Sequence, residues 1–339
     1  MHAGRPFCLA MVKPCPDRHT KATRRTRADT VQTDKTAIKP NGVYGMPLAD
    51  LSNVPANAIQ FSPLMPGAPA LEPQSESSLA SMTMLAPPGT LERRYAMALA
   101  LRAVTVNGAF TALASKDQGG TRLRKELQGF GCTVEEFARR HHRVATCVRP
   151  ANLTGIGEAL SEGGPQPIES LGLWSQPGVF SWDRIDPGTA LLLQHLPALN
   201  GRGADFGCGL GILARAVLAS PKVEHITLID IDRRAIEAAR RNIEDSRTRF
   251  RWADARTADP ELSDLDFVVM NAPFHDTGVE DRTLPLSFIK RASEVLRNGG
   301  VCHLTANRHL PYEAAMKPLF RHIELKIETG GYKIYEMRK

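Results

Sequence analysis

The sequence has few aromatic residues, few cysteines and no long hydrophobic run. Its longest apolar stretches, such as 190–193, fall far short of the roughly 20 residues that a membrane-spanning helix needs, so a membrane protein is not expected. The six cysteines are scattered, without a CxxC pair and without histidines at zinc-ligand spacing. With the cytoplasm as the default compartment for a chain without a membrane span, this pattern predicts isolated, reduced thiols and no metal site.

Positive charge is distributed unevenly along the chain. A net charge of +7 is typical of a nucleic-acid-binding protein when the charge lies on a folded surface. The first 40 residues, however, hold nine basic and three acidic side chains, so most of the excess lies there. This segment has no apolar periodicity and no secretory hydrophobic region, which predicts a disordered basic tail over 1–42. Two interpretations stay open: an arm that contacts RNA phosphates, or a dispensable extension from a start codon assigned too far upstream.

From Gly203 onward, short apolar runs alternate with amphipathic helical segments. This alternation predicts an α/β fold with a largely parallel sheet. The predicted strands are 204–206, 225–231, 250–255, 265–270 and 301–305. Asp232 follows the second of them and can cap the next helix. Near the end of the chain, 323–328 and 332–337 flank a glycine turn and predict an antiparallel hairpin.

A faint internal repeat predicts a second α/β unit ahead of this one. A strand, a proline-containing turn, a helix and another strand follow one another twice, with Ala86-Pro87-Pro88 as the first turn and Asn271-Ala272-Pro273 as the second. The first copy has no acidic, glycine-rich loop before it and carries Ala86 where the second carries Asn271, so we expect it to be degenerate and noncatalytic. The predicted domains, in chain order, are a basic tail (1–42), a degenerate domain (43–150), a linker (151–169) and a catalytic domain (170–339).

A glycine-rich turn, Asp205-Phe206-Gly207-Cys208-Gly209-Leu210-Gly211, connects the first of these strands to a helix. Such a turn lets a ligand approach the backbone and the N–H groups at the helix start. Dinucleotide sites place glycines at the first, third and sixth positions, whereas here the sixth position is Ile212. The observed GxGxG spacing after an acid resembles motif I of methyltransferases that use S-adenosylmethionine. The cofactor-binding residues predicted in this turn are Asp205, Gly207, Cys208, Gly209 and Gly211, of which Cys208 is expected to be a small neutral filler.

Acidic residues end the second and third predicted strands. Asp230 follows Gly207 by 23 residues, at a position where an acid can accept hydrogen bonds from both ribose hydroxyls of a nucleoside. Asp254 resembles the acid that reads the adenine amino group in S-adenosylmethionine sites. With their neighbours Ile231 and Ala255, these residues complete the predicted cofactor site.

The run Asn271-Ala272-Pro273-Phe274-His275 follows the most apolar predicted strand. It resembles motif IV, usually NPP with an aromatic residue, of enzymes that methylate exocyclic or amide nitrogens. An exocyclic amine of a purine is a poor nucleophile because its lone pair is delocalised into the ring. The Asn271 side-chain oxygen and the Ala272 carbonyl could hold the two amine protons and let the nitrogen pyramidalise, with no metal required.

The same run supplies the predicted substrate contacts. Phe274 is expected to stack on a base extruded from its helix, and His275 is a second candidate contact. Ala272 stands where the family more often has proline, so the loop is expected to be less rigid. The predicted catalytic residues are Asn271, Ala272, Pro273 and Phe274, and Asn271 is also assigned to cofactor binding.

Together these motifs resemble the RsmC-like group of bacterial ribosomal RNA guanine-N2 methyltransferases. The resemblance extends over roughly 170–339 and includes the segments 176–181, 185–186, 191–193, 306–307, 310–312 and 331–335. It implies a class I methyltransferase fold, which is Rossmann-like with a mostly parallel seven-stranded sheet and a C-terminal antiparallel hairpin. A smaller, degenerate methyltransferase-like α/β domain is expected to precede it.

The resemblance implies methylation of the guanine N2 amine in small-subunit ribosomal RNA, with S-adenosylmethionine as cofactor. Alternatives that keep the cofactor are an adenine N6 amine, a transfer RNA base or a protein glutamine. The alternative from another class is a noncatalytic RNA-binding or ribosome-assembly factor, against which the joint presence of Asp205, Asp230 and Asn271 argues. The predicted partner is ribosomal RNA or a small-subunit particle. No oligomeric state is predicted.

Overall fold

Two main β-sheets follow one another along the chain, the first with six strands and the second with seven. A computed structural model describes residues 38–257, 259–272, 275–276, 279–280, 283–309 and 312–339, with the backbone alone for 275–276 and 279–280. Both sheets belong to one compact unit, Ile38–Lys339. Among the described residues, no helix is long and apolar enough to cross a membrane. Most of the predicted tail, residues 1–37, lies outside the described part.

The first lobe holds the six-stranded sheet. Its elements are β1 (Asn41–Tyr44), β2 (Ile59–Phe61), β3 (Leu79–Leu85), α1 (Thr90–Ala103), β4 (Val104–Ser115), α2 (Leu123–Gly129), β5 (Glu135–Arg139) and β6 (His142–Val148). The strand order is β2-β1-β3-β4-β6-β5, parallel from β1 to β4, with β5 and β6 as an antiparallel hairpin. Asn41 and Gly42 pair with β3, so the first sheet begins within the last residues of the segment predicted as a tail.

The segment predicted as a linker, 151–169, has regular structure of its own. It contains α3 (Ile156–Gly163) and β7 (Gln166–Ile168), and β7 pairs with β8 (Leu173–Ser175) across the predicted domain boundary. Helix α3 packs on α1, and its residue Ala159 is buried in the core of the first lobe. The segment is therefore part of the packed structure rather than a bare connection.

The second lobe holds the seven-stranded sheet. Its elements are α4 (Pro187–His195), β9 (Gly201–Phe206), α5 (Ile212–Leu218), β10 (Val223–Asp230), α6 (Arg233–Asn242), β11 (Thr248–Trp252), β12 (Leu265–Asn271), β13 (His275–Asp276), β14 (Val279–Glu280), α7 (Leu284–Val295), β15 (Leu296–Asn307), α8 (Glu313–Met316), β16 (His322–Thr329) and β17 (Tyr332–Arg338). The strand order is β11-β10-β9-β12-β15-β17-β16. Only β17 runs antiparallel to its neighbours β15 and β16. The predicted mostly parallel, seven-stranded sheet with a closing hairpin is confirmed.

The strand order also fixes where a ligand can bind. From β9 the chain first adds β10 and β11 on one side and then returns to place β12 on the other. The loops that leave β9 and β12 therefore diverge, and open α/β sheets bind ligands in the crevice at such a switch point. Strand β12 is buried along most of its length, which explains its nearly continuous apolar sequence.

The two sheets share one topology. The order β2-β1-β3-β4-β6-β5 repeats β10-β9-β12-β15-β17-β16, so the first sheet lacks only a counterpart of the edge strand β11. The predicted repeat thus has a structural basis, since Ala86-Pro87-Pro88 follows β3 just as Asn271-Ala272-Pro273 follows β12.

Arg93 occupies the space beside the turn that follows β3. Its guanidinium donates to the carbonyls of Pro87 and Pro88 at 3.1 and 2.7 Å, and to both carboxylate oxygens of Glu126 at 2.8 and 2.7 Å. The Arg93 side chain is fully buried. Where the second lobe presents an asparagine, the first lobe therefore holds a buried ion pair.

Replacing Arg93 with methionine should lower the free energy of unfolding by about 3–5 kcal/mol, because Glu126 would keep a largely buried charge without a partner. Denaturant unfolding of the variant and the wild type measures this difference. Arg94→Met is the matched control: Arg94 pairs with the exposed Glu158 and Glu162, so its loss should cost less than about 1 kcal/mol. Similar costs for both variants would contradict the structural importance of the Arg93 pair.

Candidate active site

The glycine-rich turn after β9 provides two glycines that face a cavity and one that packs inside the protein. Gly207 and Gly209 have φ values of 70° and 52°, border the cavity, and a Cβ on either would meet no protein atom within 4 Å. Gly211 (φ 80°) begins α5, and a Cβ there would lie 2.8 Å from Cδ1 of Ile243. The first two glycines keep space open for a ligand, whereas the third allows close packing.

Asp205 lies beneath the turn, whereas Cys208 lies within it and borders a small cavity of about 40 Å³. Asp205 is buried, and its Oδ2 accepts the N–H of Ala214 in α5 at 3.2 Å. The pKa of Asp205 is raised to about 8. Burial is the main cause and the nearby Asp230 adds to it, while the hydrogen bond from Ala214 acts in the opposite direction. Cys208 is also buried, and burial raises the pKa of its thiol well above the usual value, so the thiol form is favoured over the thiolate. Asp205 does not border the cavity, so its predicted role in cofactor binding could only be exerted through the turn.

Asp230 connects the turn to the start of α6. Its Oδ2 accepts the N–H of Gly209 at 2.9 Å, and its Oδ1 accepts the N–H of Asp232 at 2.8 Å. Burial raises the pKa of Asp230 to about 6, although these backbone hydrogen bonds oppose the shift. Asp230 borders the cavity, as the predicted ribose contact should. Asp232 caps α6 by accepting the N–H of Arg234, as predicted.

The predicted residues of the next two loops also border the cavity. Ile231, Asp254 and Ala255 all line it, together with Arg256. Arg256 donates to both oxygens of Asp254 at distances of 2.7 to 3.0 Å. Burial alone would raise the pKa of Asp254, but these hydrogen bonds lower it below its usual value. The sequence reasoning missed Arg256, because an i,i+2 contact across this turn depends on the conformation of the turn.

Asn271 ends β12 with its side chain held in one orientation. Its Nδ2 donates to Oδ2 of Asp186 at 2.8 Å and to Oγ1 of Thr189 at 2.9 Å. An ionised carboxylate only accepts hydrogen bonds, so the amide nitrogen must face Asp186 and the amide oxygen must face the other way. Ala272, the next residue, is buried and borders the cavity.

Asp186 and Thr189 orient Asn271, a role that sequence reasoning assigned to neither residue. Asp186 caps α4 by accepting the N–H of Thr189 at 3.0 Å, and Pro187 occupies the first turn of the helix. An aspartate before a proline is a helix-start signal that the sequence does contain. The signal does not show that this cap contacts a residue 85 positions away.

The remaining predicted site residues cannot be located in the same way. Pro273 and Phe274 lie outside the described residues. Only the backbone of His275 is described, in the short strand β13, where it pairs with Glu280 of β14. Their catalytic and substrate-binding roles stay predictions.

The cavity at the switch point has a volume of about 410 Å³, within the range of small-molecule sites. Its wall is largely apolar, and its charged or polar members come from the ends of β10, β11 and β12. A smaller cavity of about 40 Å³ adjoins it, and Phe180, Gly207, Gly209 and Asn271 border both. In the described part of the chain, no group of three or more His, Cys, Asp or Glu side chains could hold a metal ion.

Comparisons with known proteins identify the family of the chain. Residues 170–336 match the family described as the methyltransferase small domain. The ribosomal RNA small subunit methyltransferase C of Pseudomonas entomophila is 34% identical over 229 residues, which cover 66% of this chain and 69% of that protein. The chain belongs to the ribosomal RNA small subunit methyltransferase C family. The family predicted from the motifs is therefore confirmed.

Other members of the methyltransferase C family resemble the chain over different lengths. The protein of Shewanella sediminis is 36% identical over 166 residues, which cover 47% of this chain and 46% of that protein, so this match spans about half of the relative. The structure of the Thermus thermophilus 16S rRNA N2 G1207 methyltransferase, solved with AdoMet and guanosine, superposes with a TM-score of 0.71 and 20% identity. That superposition covers 88% of both chains and shows the fold, including both lobes.

The variant Asp205→Asn should change how stability depends on pH. Because the native pKa of about 8 exceeds the ordinary value of 3.8, the native state retains a proton that the unfolded chain releases. This group therefore contributes a loss of stability as pH rises from about 4 to about 8, and an asparagine, which does not titrate, should remove that loss. Denaturant unfolding at pH 5 and pH 8 checks this. The free energy of unfolding of the variant minus that of wild type should be larger at pH 8 than at pH 5. A difference that does not vary with pH would show that Asp205 is ionised in the native state.

Proposed function

We propose that the chain transfers a methyl group from S-adenosylmethionine to the exocyclic N2 amine of guanine in small-subunit ribosomal RNA. The observation that carries the proposal is the fixed amide of Asn271 at the edge of a cavity built from Gly207, Gly209 and Asp230. The membership in the methyltransferase C family and the named activity of its relatives support the same substrate.

The residues around the cavity fit S-adenosylmethionine. Gly207 and Gly209 form a cradle that any Cβ would fill, so a ligand can approach the backbone of the turn. Asp230 offers a half-buried carboxylate to the hydroxyls of a nucleoside, and the apolar walls suit an adenine ring. S-adenosylmethionine supplies an already activated methyl group on its sulfonium, so the protein has to provide binding and orientation.

Asn271 is the residue that orients the acceptor amine. With Nδ2 bound to Asp186 and Thr189, its Oδ1 is the group left to accept a hydrogen bond from an amine proton. Holding that proton in one place favours a pyramidal nitrogen. Its lone pair is then less delocalised into the purine ring and can react with the methyl group. Asp186 and Thr189 act as positioning residues, because they prevent the amide from rotating. Stacking of the base on Phe274 is part of the proposal that comes from the sequence alone.

The proposal names ribosomal RNA or a small-subunit particle as partner and the cytoplasm as the place of reaction. The small subunit is the target named for the relatives, and ribosomal RNA is found in the cytoplasm. The alternatives are acceptors with the same kind of nitrogen, namely adenine N6, a transfer RNA base or a protein glutamine. The orientation of Asn271 would serve each of them, so the experiment must identify the acceptor.

Radiolabelled S-adenosylmethionine, incubated with the protein and RNA from a strain that lacks the enzyme, identifies the acceptor after digestion to nucleosides. We expect the label in N2-methylguanosine. Asn271→Ala should reduce turnover roughly a hundredfold, as does the removal of other oriented polar groups, while calorimetry shows nearly unchanged cofactor affinity. Label in another nucleoside or in protein would replace guanine as the acceptor. Binding without any transfer would favour a noncatalytic assembly factor, and unchanged turnover of the variant would contradict the role of Asn271.

A further inference from the structure

A leucine from the first lobe borders the cavity of the second lobe. Leu64 lies just after β2 and contributes to the same cavity wall as Asp230, Ile231 and Asp232. It is 41% exposed, which is high for a large apolar side chain held in a turn. Ile231, on the opposite lobe, is exposed to a similar extent at 39%. Two apolar side chains from different lobes are therefore both open to the space beside Asp230.

The turn that carries Leu64 is attached to the start of α6. The N–H of Leu64 donates to Oγ of the buried Ser62 at 3.1 Å, which closes the turn. The carbonyl of Pro63, between them, accepts the N–H of Arg233 at 2.9 Å. Arg233 is the first residue of α6, the helix that begins just after Asp230. The backbone position of Leu64 is thus set relative to the carboxylate that faces the cavity.

Two ion pairs strengthen the same contact. Arg233 donates to both carboxylate oxygens of Glu72 at 2.8 and 2.9 Å, and Arg233 is only 15% exposed. The neighbouring Arg234 is buried, donates to Glu92 at 2.7 Å, and also holds both oxygens of Asp232. Both pairs between the lobes are charge-assisted hydrogen bonds of 2.7 to 2.9 Å, which are stronger than hydrogen bonds between neutral groups. Through Glu72 and Glu92, the first lobe therefore binds the first two residues of α6, next to the cavity wall.

We propose that Leu64 is a cofactor contact supplied by the first lobe, and that its side chain covers the nucleoside end of S-adenosylmethionine at Asp230. The proposal rests on the cofactor of the proposed function. When a ligand covers an exposed leucine, the removal of its apolar surface from water stabilises the complex. Before binding, the same side chain contributes little to the stability of the folded protein. The lobe that lacks the catalytic motif would then still form part of the cofactor site. Glu72 acts as a positioning residue through Arg233.

Titration calorimetry with S-adenosylmethionine tests Leu64 directly. Leu64→Ala should weaken binding about three- to tenfold, while thermal unfolding of the protein without ligand stays within about 1 °C of wild type. Leu64→Met keeps an apolar side chain of similar volume and should restore most of the affinity. Leu48→Ala is the matched control, because Leu48 belongs to the same lobe, is 42% exposed and does not border the cavity. That control should bind like wild type.

A double-mutant cycle tests how Leu64 is positioned. Glu72→Ala should also weaken binding, and the double variant with Leu64→Ala should lose less than the sum of the two single losses, because both act through one side chain. Wild-type affinity in Leu64→Ala, or an equal loss in Leu48→Ala, would overturn the proposal. Fully additive losses would overturn the positioning role of Glu72. If wild type itself failed to bind S-adenosylmethionine, the proposed function would fail first, which separates the two conclusions.

Discussion

The half-buried carboxylate of Asp230 joins the two turns on which the cavity depends. One oxygen accepts the N–H of Gly209 in the glycine turn, and the other accepts the N–H of Asp232 at the start of α6. Burial makes this carboxylate harder to ionise and raises its pKa to about 6, so the two backbone donors are needed to stabilise its charge. Both turns lie where the strand order reverses, and a ligand site at that point is the general outcome in open α/β sheets. Asp230 therefore connects the glycine turn to the start of α6 and also borders the cavity.

The two lobes show how one topology can carry different chemistry. After β12, Asn271 is fixed by Asp186 and Thr189 and faces a cavity. At the corresponding place after β3, the guanidinium of Arg93 fills the space and binds backbone carbonyls. An ion pair buried there contributes to specific packing rather than to ligand binding. The difference between the lobes therefore lies in the side chains at the strand ends, while the sheets remain alike.

Local sequence patterns predicted much of the second lobe because the features concerned are local. The spacing of glycines in 207–211, the cap at Asp232 and the apolar run of β12 depend on neighbouring residues, and the structure contains all three. The contact of Asp186 with Asn271 joins residues 85 positions apart, and no local pattern encodes it. Burial of Asp205 under the turn also depends on tertiary packing, and the cofactor-binding role of this residue stays a prediction. Likewise, no local pattern predicts that Leu64 of the first lobe borders the cavity of the second lobe.

The central claim is that the chain has one cofactor site and that Asp230 is its anchor. Isothermal titration of S-adenosylmethionine into the wild type and into Asp230→Asn, with thermal unfolding to confirm that the variant is folded, tests it most directly. We expect one molecule bound per chain, and binding about ten- to a hundredfold weaker in the variant because charge-assisted hydrogen bonds are lost. Two molecules bound per chain, or unchanged affinity in a folded Asp230→Asn variant, would contradict it.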